Sequence, residues 1–270
     1  MSGLTVGQLE TLLLEQFPAR DAESWDVTGL TVGDPGQVAG KVAVALDQTV
    51  DAVLRAKKAG ANVLLTHHPT FLQPPQVFKP KGHAPAGPGA VVWEAVAQGV
   101  ALMNFHTAFD VSAQAQRVFP SLLGLTQTGL LQPLAHDGAK GYGQVCLSQT
   151  PLTLGQLAHR AAEAFGSTPR VWGSMEDVLG TVVCCSGSAG SFGQAALDAG
   201  ATCLVCGEVG YHRALDLSCA GLRIIEVGHD KSELPFAKLL GQAAVAVGVP
   251  SDCIVLISQD TNWRVPDSQI

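Results

Sequence analysis

The chain has 270 residues, 47% of them hydrophobic and only 14% charged, with a formal net charge of −7. That length supports one large or two ordinary domains with a real core and no need of disulfide staples. The acidic balance, with no Lys/Arg run longer than Lys57-Lys58, argues against a nucleic-acid surface built on phosphate contacts, and no apolar run approaches the roughly 20 residues that span a bilayer. A charged fraction well below the roughly 25% usual for soluble domains points to self-association. Met1 is followed by Ser-Gly-Leu-Thr-Val, without the basic and long apolar stretches of a signal peptide, so a cytoplasmic protein is expected.

Residues 4–16 carry leucines at helical spacing after the capping residue Thr5, and Pro18 ends the helix. Trp25 to Pro35 is rich in turn residues and reads as an ordered loop, with Asp26 read as a turn former rather than a catalytic acid. A strand over 41–46, a helix capped by Asp47 or Thr49 and stopped at Gly60, and a strand running into His67-His68-Pro69 make one βαβ unit. Both histidines then stand at the carboxyl edge of a parallel strand, where open α/β sheets bind ligands. Neighbouring strand residues point to opposite faces, so the pair serves two adjacent metal ions more readily than one. The Pro- and Gly-rich segment 73–89 reads as a surface loop, with His83 at the surface. A helix over 90–97 leads to a strand over 100–105 that ends in His106-Thr-Ala-Phe-Asp110.

The pattern then begins again. Strands are expected at 143–148, 180–185, 201–206, 222–227 and 253–257, and helices at 153–165, up to 199, up to 220 and from Glu233 to Val247. In the last of these, Pro235 suits the first turn, Asp230 or Ser232 the cap, and His229 falls just ahead. Ala56 to Ala61 echoes Ala196 to Ala201, and Gln98-Gly99 echoes Ala220-Gly221, which indicates an internal duplication. Cys203-Leu-Val-Cys206 has the spacing of a redox or zinc pair, but on a strand its members face opposite sides, so buried free thiols are expected. The 186–191 loop reads equally as an anion cradle or a tight strand-to-helix turn. His136 and His159 read as surface residues.

Three strand ends thus collect potential ligands: His67 and His68, then Asp110, then His229 with Glu233 at i,i+4 spacing. Mixed nitrogen and oxygen donors suit zinc, iron or manganese rather than calcium or magnesium. Over most of its length the chain resembles the GTP cyclohydrolase 1 type 2 homologues, the Nif-three-like dinuclear-metal-binding family. The resemblance rests on Trp25-Asp-x-x-Gly-Leu-x-Val-Gly33, His67-His-Pro69, His106-Thr-x-x-Asp110, the 186–191 loop, Gly207-Glu-x-x-Tyr-His212 and Gly228-His-x-x-x-Glu233. It implies a dinuclear site on His67, His68, Asp110, His229 and Glu233, holding two divalent ions per chain (Zn, Fe or Mn).

The fold expected is α/β, as two similar three-layer halves related by internal duplication, with the metal site in the cleft between them. The expected domains are 1–125 plus 225–270, and 126–224. The resemblance also implies a homohexamer. Cys206 departs from the family pattern, which carries Thr or Ser there. The function implied is a metal-dependent hydrolase acting on a small molecule or nucleotide, with His106, Glu208 and His212 as catalytic candidates that move protons. The alternative is a non-catalytic regulatory scaffold or a metal storage and delivery protein. No G-x-x-x-x-G-K-[ST] phosphate loop is present; only Arg213, Lys231 and the lysines at 79–81 lie near the motifs as triphosphate contacts.

Overall fold

A computed structural model describes residues 3–82, 87–259 and 262–263. His83 lies outside the described residues, as does nearly all of the polar tail after Gln259. The chain forms two compact units, Met1–Phe109 with Phe236–Ile270, and Asp110–Pro235. The sequence expectation set these borders at 125/126 and 224/225. Phe119, Leu123 and Leu125 share a core cluster with Leu154, Leu157 and Cys184, which is why the segment after Asp110 groups with the second unit.

The first unit opens with α1 (Val6–Gln16), whose Thr5 and Gln8 form a reciprocal capping box. β1 (Gly29–Val32) and β2 (Val42–Ala45) follow, then α2 (Val50–Lys58), β3 (Val63–Thr66), α3 (Gly87–Gln98), β4 (Ala101–Asn104) and α4 (Thr107–Asp110). The second unit contains α5 (Ala113–Gln116), α6 (Val118–Leu123), β5 (Thr126–Leu134), β6 (Asp137–Leu147), β7 (Leu152–Thr153), α7 (Leu154–Phe165), β8 (Arg170–Trp172) and β9 (Val178–Leu179). It continues through β10 (Val182–Ser188), α8 (Gly193–Asp198), β11 (Cys203–Glu208), α9 (Tyr211–Cys219) and β12 (Arg223–Glu226). Helix α10 (His229–Ala246) and β13 (Ile254–Leu256) complete the chain.

The first sheet has the order β1-β4-β3-β2-β13, with β2, β3 and β4 parallel and β1 antiparallel at the edge. Both its faces are apolar, as parallel strands with helices on each side require. Ala43, Ala45, Leu64 and Leu102 pack with Ala52, Val53 and Ala56 of α2 and Ala95 of α3. Val42, Val44, Val63 and Leu65 point the other way and are fully buried. On that side Gly241 of α10 stands at contact distance from Val44 and Ile254.

The second sheet, β5-β6-β10-β11-β12-β8, repeats the plan: β10, β11 and β12 are parallel and β8 is an antiparallel edge. Cys184, Cys203 and Val205 face α7, whereas Val183, Cys185, Leu204 and Cys206 face α8 and α9. Cys203 and Cys206 therefore sit on opposite faces as free buried thiols, as their strand spacing requires.

The echoed sequences end helices identically. Gly60 and Gly200 take φ of 78° and 74°, and the following Ala61 and Ala201 donate to Ala56 O and Ala196 O, both at 2.9 Å. Gly99 and Gly221 close α3 and α9 in the same way.

Some local expectations are corrected. Gly29–Val32 is an edge strand rather than loop, because β4 offers it an antiparallel partner. The strand expected at 143–148 is the second half of β6, whereas β5, the first half of β6 and the short helices over 107–123 have no strong periodicity and fall outside the sequence expectation. Helix α10 begins at His229 rather than Glu233, with Pro235 inside it. Ser232 N donates to Gly228 O at 3.0 Å and Ser232 Oγ to His229 O at 2.6 Å, so the turn ahead of the proline closes without the proline's missing N–H.

Candidate metal centre

In the first unit β3 ends at Thr66, opposite Asn104 of β4, so His67 comes to lie beside Phe105. Its Nδ1 is 3.0 Å from the Phe105 carbonyl oxygen. Thr66 Oγ1 donates to His68 O at 2.8 Å and His68 N to Leu46 O at 2.9 Å, which bends the chain just past the strand. Strand alternation therefore no longer applies, and the two imidazole centres lie only 4.8 Å apart rather than on opposite faces. His68 Nδ1 pairs with Asp47 Oδ1 at 2.8 Å. Thr49, not Asp47, caps α2.

His106 follows β4, and its Nδ1 is 3.0 Å from Asp26 Oδ1. Asp26 also accepts from the backbone and hydroxyl of Thr107. Burial pushes the Asp26 carboxyl up, but these hydrogen bonds and the His106 ring outweigh it and hold the group below its ordinary value. Asp26 is thus an ionised acceptor that orients His106, not merely a turn former. His67, His68 and His106 bring their ligand atoms within 4.8 Å of one another. His67 is completely buried and meets Phe109 and Phe236 edge-on, at 5.9 and 5.0 Å between ring centres.

The second unit gathers its own donors. His229 and Glu233 share a face of α10, with His229 Nε2 3.2 Å from Glu233 Oε2, and Asp110 brings a carboxylate oxygen within 4.8 Å of Glu233. Glu208, at the end of β11, accepts from His229 Nδ1 at 2.9 Å. The 186–191 loop lies against these groups. Gly187 has φ +58°, and a Cβ there would fall 2.4 Å from Glu233 Oε1. Its N–H donates to Ser232 Oγ at 2.9 Å. β10 runs on to Ser188, so the first part of the expected 186–191 loop is strand, and the Gly187 N–H is committed to Ser232.

By chain unit, the residues singled out in the sequence are His67, His68 and His106 in the first and Asp110, His229, Glu233 and Glu208 in the second. Among the described residues His212 shares no donor cluster with them; it is exposed on the first turn of α9, its ring 5.3 Å from that of Tyr211. His136 and His159 are exposed, as expected. The sequence reading missed Asp26 and Asp47 as histidine partners, since the pairs lie 80 and 21 residues apart. The Trp25-Asp26 motif was the available signal for the first. Ordered acceptors on Nδ1 are what a metal-binding imidazole needs, because they leave the Nε2 lone pair for the ion.

A model of the Duf34/NIF3 (NGG1p interacting factor 3) family matches residues 4–258. The GTP cyclohydrolase 1 type 2 homolog of Streptomyces coelicolor is 30% identical over 243 residues, covering 87% of this chain and 83% of that protein. The GTP cyclohydrolase 1 type 2 of Helicobacter pylori strain J99 is 25% identical over 226 residues, covering 82% and 83%. Among solved structures, a hypothetical protein of Staphylococcus aureus superposes with a TM-score of 0.85 at 20% identity, covering 97% of this chain and all of that one. A Bacillus cereus protein related to NIF3 gives a TM-score of 0.83 at 20% identity, covering 94% and 96%. At such identities the structural likeness establishes the shared fold.

Proposed function

The chain belongs to the Duf34/NIF3 family, and from that premise we propose that it binds two divalent metal ions and hydrolyses a small molecule or nucleotide with metal-activated water. One observation carries this reading: His67, His68, His106 and His229 each hold Nδ1 against an oxygen acceptor, the support from behind that a metal-binding imidazole uses. A histidine used only for packing needs no such uniform tautomer. The ligand set implied by the resemblance, His67, His68, Asp110, His229 and Glu233, mixes imidazole and carboxylate donors, which fits zinc, iron or manganese. When bound, such a pair of ions lowers the pKa of a bridging water and polarises the substrate.

The protein's own part follows from its side chains. Phe109 and Phe236 keep water from His67, which strengthens charge interactions there. Glu208 orients His229, and its half-exposed carboxylate is placed to take a proton from an attacking water. His212 is available to a substrate that reaches α9, and His106, oriented by Asp26, is a second group to move a proton. The relatives' name makes GTP the first substrate to test. Against it, the Gly187 N–H is already donated and no phosphate loop is present, which leaves Arg213, Lys231 and the lysines at 79–81 as the cationic side chains near the motifs in sequence. A homohexamer in the cytoplasm is part of the same proposal.

Metal analysis and a hydrolysis screen over nucleotides, esters and amides, with protein loaded with zinc, iron(II) or manganese, test it. The expected result is two ions and turnover with at least one class. At most one ion after loading rejects the dinuclear reading. Two ions with no turnover in any class favours a binding scaffold or a storage and delivery protein.

A further inference from the structure

We propose that Gln259 is a positioning residue for His68, acting through Asp47. This rests on the proposed function, which takes His68 for a ligand, and it concerns the far end of the chain rather than the ligand set. Gln259 stands 213 and 212 positions from Leu46 and Asp47, yet it is only 4% exposed and its side chain closes on both of them. Pairing of β13 with β2 ends at Leu256 opposite Val44, and pairing of β2 with β3 at Ala45 opposite Thr66. Ile257 N then donates to Val44 O at 2.8 Å, and Arg55 of α2 donates to Ser258 O at 2.7 Å. Gln259 is thereby delivered to the chain just past β2. Its Oε1 accepts from Leu46 N at 2.9 Å and from Asp47 N at 2.8 Å, and its Nε2 donates to Asp47 O at 3.1 Å. A primary amide offers the donor and acceptor of a peptide group, so this side chain continues the sheet's pairing beyond β13.

The grip falls on the backbone that places a carboxylate. Gln259 holds both peptide groups flanking Asp47, one at its N–H and the other at its carbonyl. Aspartate is short, so a backbone fixed on both sides also fixes where its carboxylate can reach. Asp47 Oδ1 meets His68 Nδ1 at 2.8 Å. The Leu46–Asp47 peptide leads to His68 by a second route, because Leu46 O accepts from His68 N at 2.9 Å. A glutamine that only closes a strand end satisfies buried backbone groups; this one does so where backbone and carboxylate both lead to the same imidazole. Partners behind a ligating imidazole orient it, and their loss costs roughly 10- to 100-fold in metal affinity. One hydrogen bond further back, Gln259 should contribute about 10-fold.

The test is a cycle on the full chain. Gln259→Met keeps the length of the side chain and removes the amide. Zinc affinity is measured by chelator competition in wild type, Gln259→Met, Asp47→Ala and the double variant. Gln259→Met should bind zinc about 10-fold more weakly than wild type, and adding it to Asp47→Ala should cost about twofold or less. A second readout needs no metal. Nitrogen-15 signals of the His68 ring in metal-free protein, at mildly alkaline pH, report which nitrogen carries the proton. The proton is expected on Nδ1 in wild type and shared between both nitrogens in Gln259→Met.

An equal loss of affinity in both backgrounds makes Gln259 merely structural and overturns the positioning role. An affinity unchanged by Gln259→Met overturns it too. A wild type that binds no ion sinks the proposed function and leaves the ring signals to decide. A tautomer shift in Gln259→Met then supports the link to His68, and an unchanged ring overturns it. Should circular dichroism show Gln259→Met unfolded, Gln259→Asn, whose amide is one methylene short, goes through the same cycle with the same deciding outcomes.

Discussion

Each of the histidines His67, His68, His106 and His229 has Nδ1 against an oxygen, so in the proposed site the residues behind the rings matter as much as the rings. His68→Ala should lose metal while the fold is kept, because the strands around it are stabilised by burial of Leu64, Leu65 and Val44 and not by the imidazole. Mass spectrometry for metal and circular dichroism for fold check this; metal content equal to wild type would remove His68 from the ligand set. Gly187 is a second sensitive point. Its φ of +58° is left-handed backbone that alanine rarely adopts, and a Cβ there would also press on the Glu233 carboxylate. Gly187→Ala should destabilise the protein by about 2 kcal/mol or more. Urea denaturation measures it, and a midpoint within error of wild type would show that the backbone there relaxes freely.

Among the elements, the edge strand β8 shows how a short strand is fastened. Glu226 of β12 accepts from Arg170 Nε and Nη2, both at 2.6 Å, from Trp172 Nε1 at 2.9 Å and from Val209 N at 2.7 Å. Burial raises the Glu226 carboxyl, but those four donors outweigh it and hold the group below its ordinary value of 4.5. A lowered folded value means that the ionised carboxylate stabilises the fold in full above the unfolded value. That contribution fades as pH falls through the folded value. Arg170 is 55% exposed, so solvent screens the pair. Glu226→Gln should therefore cost about 1 to 2 kcal/mol at pH 7. The gap to wild type should close as acid protonates Glu226, and denaturation midpoints at pH 7 and pH 3 give both numbers. A gap that stays constant with pH would mean that the carboxylate charge contributes nothing.

For the molecule as a whole, the proposed metal binding would be linked to folding, since the unfolded chain does not hold these side chains together. At free zinc 100 times its dissociation constant the folded state gains about 2.7 kcal/mol. Calorimetry should show the melting temperature rise with zinc and fall back with a chelator; an unchanged melt would mean that the ion binds the unfolded chain as well. Self-association belongs to the same scale. Val96 of α3, Trp93 beside it and Leu54 of α2 are exposed at 68%, 47% and 44%, on a chain poor in charge. Light scattering at micromolar concentration should report a hexamer. A dimer or trimer would keep self-association and reject the ring, and a monomer would reject both.

The two parallel βαβ patterns and their repeated glycine helix ends were readable from the chain's residues alone. These follow from periodicity, capping and φ preferences that act within a few residues of chain. His67, His68, Asp110, His229 and Glu233 were legible because they sit in short motifs at strand ends. That the His67 and His68 rings stand 4.8 Å apart follows from the folded chain, because the bend depends on Thr66 reaching the His68 carbonyl and on β4 lying alongside. The tertiary structure alone made Asp26 the partner of His106 and Asp47 that of His68, and started α10 at His229 with Pro235 inside. Those outcomes depend on hydrogen bonds between residues far apart in the chain or on backbone groups satisfied by tertiary neighbours. Local pattern carries no record of either.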